Sequence, residues 1–326
     1  MKAFIRKVIL FLLPLVVIAF PLDLWLSHYL KQVLQYPGET EVMNDIYSGK
    51  IDSEIAIYGS SRAWRHFDPA IIKNITGKNA YNFGIDAHHF WAQYLRHLEY
   101  LKHNRKPDYI LLSLDVFSLE IRNDYYGLNQ LLPYMLWNKN IAAYTARYKD
   151  FSKPDYYLPL VRYIGKREAI KTAWNIFLGK PQEPAIRNRG YAGADLSWNS
   201  DLEKAKADIK EKRIRYHQES VKLFLRFIQE CKEMNIHLVL VCPPEYDEGQ
   251  KLTVNRKEVI DYYKSIAAES NLLFLDYSDD EICRNRNYFY NSLHLNKTGA
   301  EIFTRQLLQD LQAGNLIFGH TPNCLK

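Results

Sequence analysis

Two short stretches, far apart in the chain, hold residue types that could perform acyl chemistry. The first is Ile57-Tyr58-Gly59-Ser60-Ser61-Arg62-Ala63. There an apolar run ends in Gly-Ser-Ser, just where a helix is expected to begin. A serine at such a junction is exposed at the carboxyl end of a strand, where open α/β sheets bind ligands. Its backbone N–H also sits at a helix N-terminus, which favours negative charge. Ser61 could therefore supply both a nucleophile and half of an oxyanion hole. Serine is also a favoured plain helix cap. The second stretch is Tyr290-Asn291-Ser292-Leu293-His294-Leu295-Asn296-Lys297-Thr298-Gly299-Ala300. A histidine just before a helix suits a general base, although a lone histidine more often serves packing. The two stretches together point to a serine nucleophile with a histidine partner.

The elements that must position these residues follow from hydropathy. Four apolar runs read as strands: Glu54–Tyr58, Tyr109–Leu114, His237–Cys242 and Leu272–Leu275. Continuous runs without alternation suit strands buried on both faces, as in a parallel sheet. Between them, Trp91, Tyr94, Leu95, Leu98 and Leu101 recur at helical spacing, as do Val221, Phe224, Leu225, Ile228 and Cys231. Ile260, Tyr263, Ile266 and Ala267 predict a third helix, and residues 299 to 311 a fourth. Strands alternating with helices predict a three-layer α/β sandwich with a mainly parallel sheet. The stretch from about 120 to 215 breaks this rhythm and reads as an insertion. Eight of the twelve residues from 201 to 212 are charged, which suits a solvated helix.

The chain has 326 residues, 43 Lys+Arg against 37 Asp+Glu and a formal charge of +6. That surplus is too small to argue for nucleic acid. Tyrosine is common, at 24 residues, but specifies no ligand. The apolar residues are uneven: Val8 to Leu22 carry no charge and no polar side chain, and Lys2, Arg6 and Lys7 precede them. With Asp23 at the headgroup level, residues 8–27 are long enough to span a bilayer. No small-x-small cleavage site follows, and Trp25 and Tyr29 suit the interface. The expectation is a cytoplasmic tail over 1–7, an uncleaved transmembrane helix over 8–27, a connector over 28–50 and an extracytoplasmic domain over 51–326. In that compartment Cys231, Cys242, Cys283 and Cys324 could form disulfides in three pairings. No GxGxxG, Walker or HExxH motif occurs, and no spacing suggests a metal, so no cofactor is expected. Gly59-x-Ser61-x-Ala63 loosely fits an α/β-hydrolase elbow, but that fold places several strands before its serine.

Gly59-Ser60-Ser61, Asn82-Phe83-Gly84, and Ser292-Leu293-His294-Leu295-Asn296 with Gly299 resemble the SGNH (GDSL-like) hydrolase superfamily. The chain resembles more closely its membrane-anchored branch, which includes the DltD-like proteins of cell-envelope acylation. The resemblance runs from about residue 51 to 313, outside the insertion, and implies the SGNH/flavodoxin-like form of the sandwich. It implies Ser61 as nucleophile, His294 as base and the Ser61 and Gly84 amides as oxyanion donors. Two positions depart from the pattern. Asp115 stands where the family's oxyanion Asn belongs, and an ionised carboxylate is a poor donor. Asn291 stands where an Asp normally orients and neutralises the His. In the serine proteases such a change costs about 10⁴-fold. Ser61–His294 would then act as a weaker dyad, or Asp279 or Asp280 would substitute, or the site would be impaired.

Arg62 could hold an anionic substrate or pair with a carboxylate. His88-His89 could line the same cleft or merely start a helix. The expected function is that of a serine esterase or O-acyltransferase acting on an acylated envelope glycan or polymer. The alternative is a catalytically impaired partner of a membrane-bound acyltransferase, or a glycan-binding module.

Overall fold

The computed structural model describes residues 1–34, 39–208 and 212–314. Side chains of residues 2, 3, 5, 8–16 and 208 lie outside that description, and so does Cys324. The chain divides into two compact units, one of residues 1–48 and 122–186, the other of residues 49–121 and 187–326.

The first unit is helical: α1 (Lys2–Leu30), α2 (Thr40–Ser48), α6 (Lys139–Thr145), α7 (Lys153–Tyr157) and α8 (Arg167–Phe177). Among the described residues no helix is long and apolar enough to cross a membrane. Most of the Val8–Leu22 run on which the span was expected lies outside the described side chains. Asp23 is fully buried. It accepts two bonds from the Arg162 guanidinium, at 2.6 and 2.7 Å, and both side chains are buried. The Leu160 amide adds a third at 2.7 Å. A buried charge persists only with such partners. Within the stretch expected as a connector, α1 runs through Leu30 and α2 buries Val42, Met43 and Ile46.

The second unit carries five parallel strands in the order β2-β1-β3-β4-β5. They are β1 (Ile55–Tyr58), β2 (Ala80–Asn82), β3 (Tyr109–Ser113), β4 (His237–Cys242) and β5 (Leu273–Asp276). The helices are α3 (Ser61–His66), α4 (Pro69–Thr76), α5 (Phe90–His103), α9 (Asp201–Asp208), α10 (Gln218–Glu233), α11 (Asp247–Gln250), α12 (Arg256–Glu269) and α13 (Lys297–Ala313). The expected α/β fold is observed. Ile55 pairs with Ala80 on one side and Tyr109 on the other, so β1 is central. Side chains alternate across the sheet even though both faces are buried. Ile55 and Ile57 pack with Phe67, Ile72, Phe303 and Leu307 in one core. Tyr58 points the other way, to Phe83, His97 and Phe227. Three layers result, with α4 and α13 under one face and α5 and α10 over the other.

Strand β2 was not anticipated, because three residues are too few for a period. It is held by β1 and, at its other edge, by the amide of Asn82 donating to Arg189 O at 2.9 Å. Residues 187–215 thus belong to the α/β unit, whereas the insertion was expected to reach 215. Cys231, Cys242 and Cys283 are buried free thiols, so no disulfide forms among the described residues.

Phe303 is fully buried between Phe67 and Tyr277. Phe303→Ala is expected to lower unfolding free energy by about 3–5 kcal/mol, read from a urea titration in detergent. A loss under about 1 kcal/mol would show that this layer does not carry the fold.

Candidate functional site

The chain runs from β1 to β2 on one side and returns to β3 on the other. That reversal, between β1 and β3, is where sheets of this order open a crevice for ligands. Ser61 stands there. Gly59, at φ 148°, makes the turn; a Cβ on it would lie 2.7 Å from the Ser113 Cβ and 2.8 Å from the Ala63 Cβ. Ser60 caps α3, its hydroxyl accepting from the Arg62 amide at 3.2 Å. Ser61 is therefore the first residue of α3 and remains partly exposed. Its amide has no acceptor among the described residues.

The base comes from a tight loop over residues 288–296. Phe289 bridges Leu295, the Tyr290 amide donates to His294 O at 3.1 Å, and the Asn296 amide to Tyr288 O at 2.9 Å. Within the loop, Asn291 Oδ1 accepts from the Leu293 amide at 3.0 Å and the His294 amide at 2.9 Å. Two backbone donors fix this atom as the oxygen. It lies 2.9 Å from His294 Nδ1, which must then carry the ring proton. His294 Nε2 is left as an acceptor, 2.8 Å from Ser61 Oγ. The tautomer is the one a general base needs.

The ring's charge is a separate matter. Burial, and then the Arg62 and Arg65 guanidinium charges, push the His294 imidazole down to about 3. Tyr290 stacks parallel to it, with ring centroids 5.3 Å apart. No carboxylate offsets the positive neighbours. Asp280 instead caps the turn at Ile282, and neither it nor Asp279 touches His294.

The other expected residues divide. Gly84 approaches α3 so closely that a Cβ would lie 2.6 Å from the Trp64 amide nitrogen. Its own N–H, however, donates to Asn82 Oδ1 at 3.0 Å, so it is not a free oxyanion donor in this structure. Asn82 was not singled out for this; its Nδ2 also ties the carbonyls of Ala63 and Phe67, at 2.8 and 2.9 Å. Arg62 does not face solvent. It is buried, with Nη1 2.9 Å from Asp115 and 3.6 Å from Glu245, and Nη2 on the carbonyls of Pro243 and Pro244. Asp115 is correspondingly an ion-pair partner and not part of an oxyanion pocket. Glu245 in turn holds Arg256 at 2.6 Å. His88 is buried, and His89 precedes α5 with its ring against Phe117, 5.4 Å away. Neither shares a contact with Ser61 or His294. Among the described residues no group of side chains is placed to hold a metal. A cavity of about 550 Å³ at the end of β5, lined by Arg256, Asp276 and Ser278, contains no residue of the dyad.

Sequence reading missed His66, the last residue of α3. It is fully buried, and its Nε2 accepts from the Leu295 amide at 2.9 Å. Its spacing from Ser61, five residues along one short helix, was the available signal. Burial, reinforced by Arg62, holds its imidazole well below the usual range, so it stays a neutral acceptor.

The chain matches no protein-family model and no curated protein sequence. Solved structures align at low identity. A Streptococcus pneumonia protein provisionally described as a platelet activating factor is 13% identical, with a TM-score of 0.43 over 83% of this chain and 90% of that one. A Desulfitobacterium hafniense protein provisionally described as lipolytic, of the G-D-S-L family, is 12% identical, with a TM-score of 0.40 over 79% and 99%. An acetyl xylan esterase is 12% identical, with a TM-score of 0.39 over 79% and 99%. At these scores the fold and site stand on this chain's own geometry.

Two predictions follow from the loop and its anchor. His66→Gln, which keeps an acceptor, should retain most reactivity of Ser61 toward an ester probe, while His66→Leu should lose about 10-fold or more by misplacing His294. Equal loss in both variants would show that the Leu295 bond is not what matters. The second concerns pH. In the fold His294 is neutral down to about 3, whereas in the unfolded chain it titrates near 6.5. The unfolded chain therefore binds more protons between these values, and stability contributed above pH 6.5 is lost progressively as pH falls toward 3. Ser61 reactivity should correspondingly stay level from pH 7 to about 5, where the fold persists. A fall with a midpoint near 6.5 in a probe-reaction profile would contradict the neutral-ring assignment.

Proposed function

We propose that the α/β unit is a serine acyl-transfer domain. The observation that carries this is the Ser61–His294–Asn291 chain of hydrogen bonds, 2.8 and 2.9 Å long, in the productive tautomer. Ser61 Oγ attacks an acyl carbonyl while His294 Nε2 takes its proton. The carbonyl oxygen becomes an oxyanion facing the Ser61 amide. Collapse of the tetrahedral adduct expels the alcohol, protonated by His294, and leaves an acyl-serine. Water then regenerates the serine in an esterase, and an acceptor hydroxyl does so in an O-acyltransferase.

The setting is proposed from the sequence. The apolar run from Val8 with its basic flank reads as an uncleaved anchor, tail inside and α/β unit outside. An anchored acyl-transfer domain suits an acylated envelope glycan or polymer, in keeping with the resemblance to DltD-like SGNH proteins. A second reading is favoured by Asn291, which orients His294 without neutralising it, and by the engaged Gly84 amide. On that reading the chain keeps the fold as a non-catalytic partner of a membrane-bound acyltransferase.

A fluorophosphonate probe on the detergent-solubilised chain separates the two. Labelling of the wild type, lost in Ser61→Ala, supports the enzyme. Asn291→Asp should then label at least about 10-fold faster, by adding the missing counter-charge. An unlabelled wild type whose Asn291→Asp variant does label would establish the impaired reading.

A further inference from the structure

The helical unit presents an apolar surface that the acyl-transfer reading leaves unused. Helix α8 has three sectors. Ala169 and Ala173 are buried, and α8 packs along α1. Ile170, Trp174, Phe177 and Leu178 form an outward stripe and are 41%, 51%, 45% and 53% exposed. Glu168, Thr172 and Asn175 occupy the remaining side. Small residues face in and large apolar ones face out, the reverse of an ordinary surface helix.

The stripe is continuous with α1. Trp25 lies 5.6 Å from Trp174 and 5.3 Å from Phe177, and Tyr29 lies 5.4 Å from Phe177, ring centroid to ring centroid. One turn or two toward the N-terminus of α1, Leu22, Ile18 and Val17 are exposed as well, and they lead into the uncharged run that starts at Val8. Arg167 and Lys171 are exposed beside the stripe. Their long apolar stems allow the charges to reach lipid phosphates while the stems cover apolar surface.

We propose that α8 is an interfacial helix, lying in the headgroup region beside the apolar run of α1 with Ile170, Trp174, Phe177 and Leu178 in the acyl boundary. The occupant of this face is a phospholipid bilayer. Three features favour lipid over a protein: continuity with the apolar run of α1 proposed as the anchor, aromatic rings clustered where α1 leaves that run, and basic groups flanking them. Protein interfaces instead prefer packed cores with a polar rim. The inference rests on the proposed anchor, and it adds a second contact that fixes how the helical unit lies on the membrane.

The full chain, with Cys324→Ser and the three remaining thiols buried, is reconstituted in vesicles of phosphatidylcholine and phosphatidylglycerol. A polarity-sensitive fluorophore is attached in turn through Trp174→Cys, Phe177→Cys and Glu168→Cys. Brominated acyl chains should quench the probes at 174 and 177 by about half or more, and the probe at 168 several-fold less. Aqueous iodide should give the opposite order. Two positions in the stripe guard against one variant perturbing the helix. Iodide reaching all three sites equally, while the chain resists alkaline extraction, would overturn the interfacial helix and leave the anchor standing. Protection at 174 and 177 from both quenchers would overturn it in favour of a protein cover. A chain released by alkaline extraction would overturn the anchor itself, and with it this inference.

Discussion

A buried charge network behind Ser61 sets most of the site. Arg62 follows Ser61 directly, and its guanidinium enters the protein where water cannot solvate it. Asp115 from the end of β3, Glu245 from the turn after β4 and two carbonyls of Pro243-Pro244 converge on it. Arg256 of α12 closes the far side through Glu245, and the Tyr263 hydroxyl holds the Asp115 carbonyl at 3.0 Å. Removing one member would strand a charge without solvent, at a cost of about 3–5 kcal/mol. The carboxyl ends of β1, β3 and β4 are thereby tied to one point, and α3 cannot rotate without breaking it. Ser61 inherits its direction from a side chain buried behind it.

Helix α3 is only six residues long, too short to be stable on its own. It is specified from outside at every turn. Its start is fixed by Gly59 and the Ser60 cap, its inner face by Arg62, and its carbonyls by Asn82. Its end is fixed by His66, which grips the base loop, and by Thr304 of α13, whose hydroxyl donates to His66 O at 2.9 Å. Ser61 and His294 therefore share one rigid reference. Backbone geometry is the reason: the loop of residues 288–296 and the end of α3 meet at the Leu295 amide, adjacent to His294.

The strands and long helices were legible because burial on a regular element repeats. Tyr109 to Ser113 and His237 to Cys242 are where their apolar runs placed them, and the helical spacing from Trp91 to Leu101 falls inside α5. Ser61 and His294 were legible from types and junctions. What could not be read was how charges would pair across the sheet. Arg62 and Asp115 are 53 positions apart, and Glu245 lies more than a hundred further on. Arg62 alone could be read as a group for substrate or for a carboxylate, Asp115 as a member of the oxyanion pocket, and Glu245 carried no signal at all. Asn82 and His66 escaped for a related reason, since their roles are acceptor bonds to backbone atoms that no side-chain pattern announces. The partner of Asp23 could not be read either, since Arg162 lies 139 positions away.

Asn291 separates two functions that an aspartate combines. An aspartate both selects the histidine tautomer and stabilises the imidazolium formed when the serine loses its proton. Here two amides of the loop hold Asn291 Oδ1 toward the ring, so the tautomer is secured by backbone geometry. In the serine proteases the corresponding substitution costs about 10⁴-fold because the tautomer is wrong. That part of the loss is avoided in this chain. The charge part is not, since Arg62 and Arg65 oppose an imidazolium and nothing on the loop offsets them. On the acyl-transfer reading, orientation without counter-charge addresses Ser61 correctly but does little to stabilise the imidazolium that must form. The chemistry available to the site is thus bounded both by this electrostatic deficit and by the oxyanion donors that Gly84 and Asp115 do not supply.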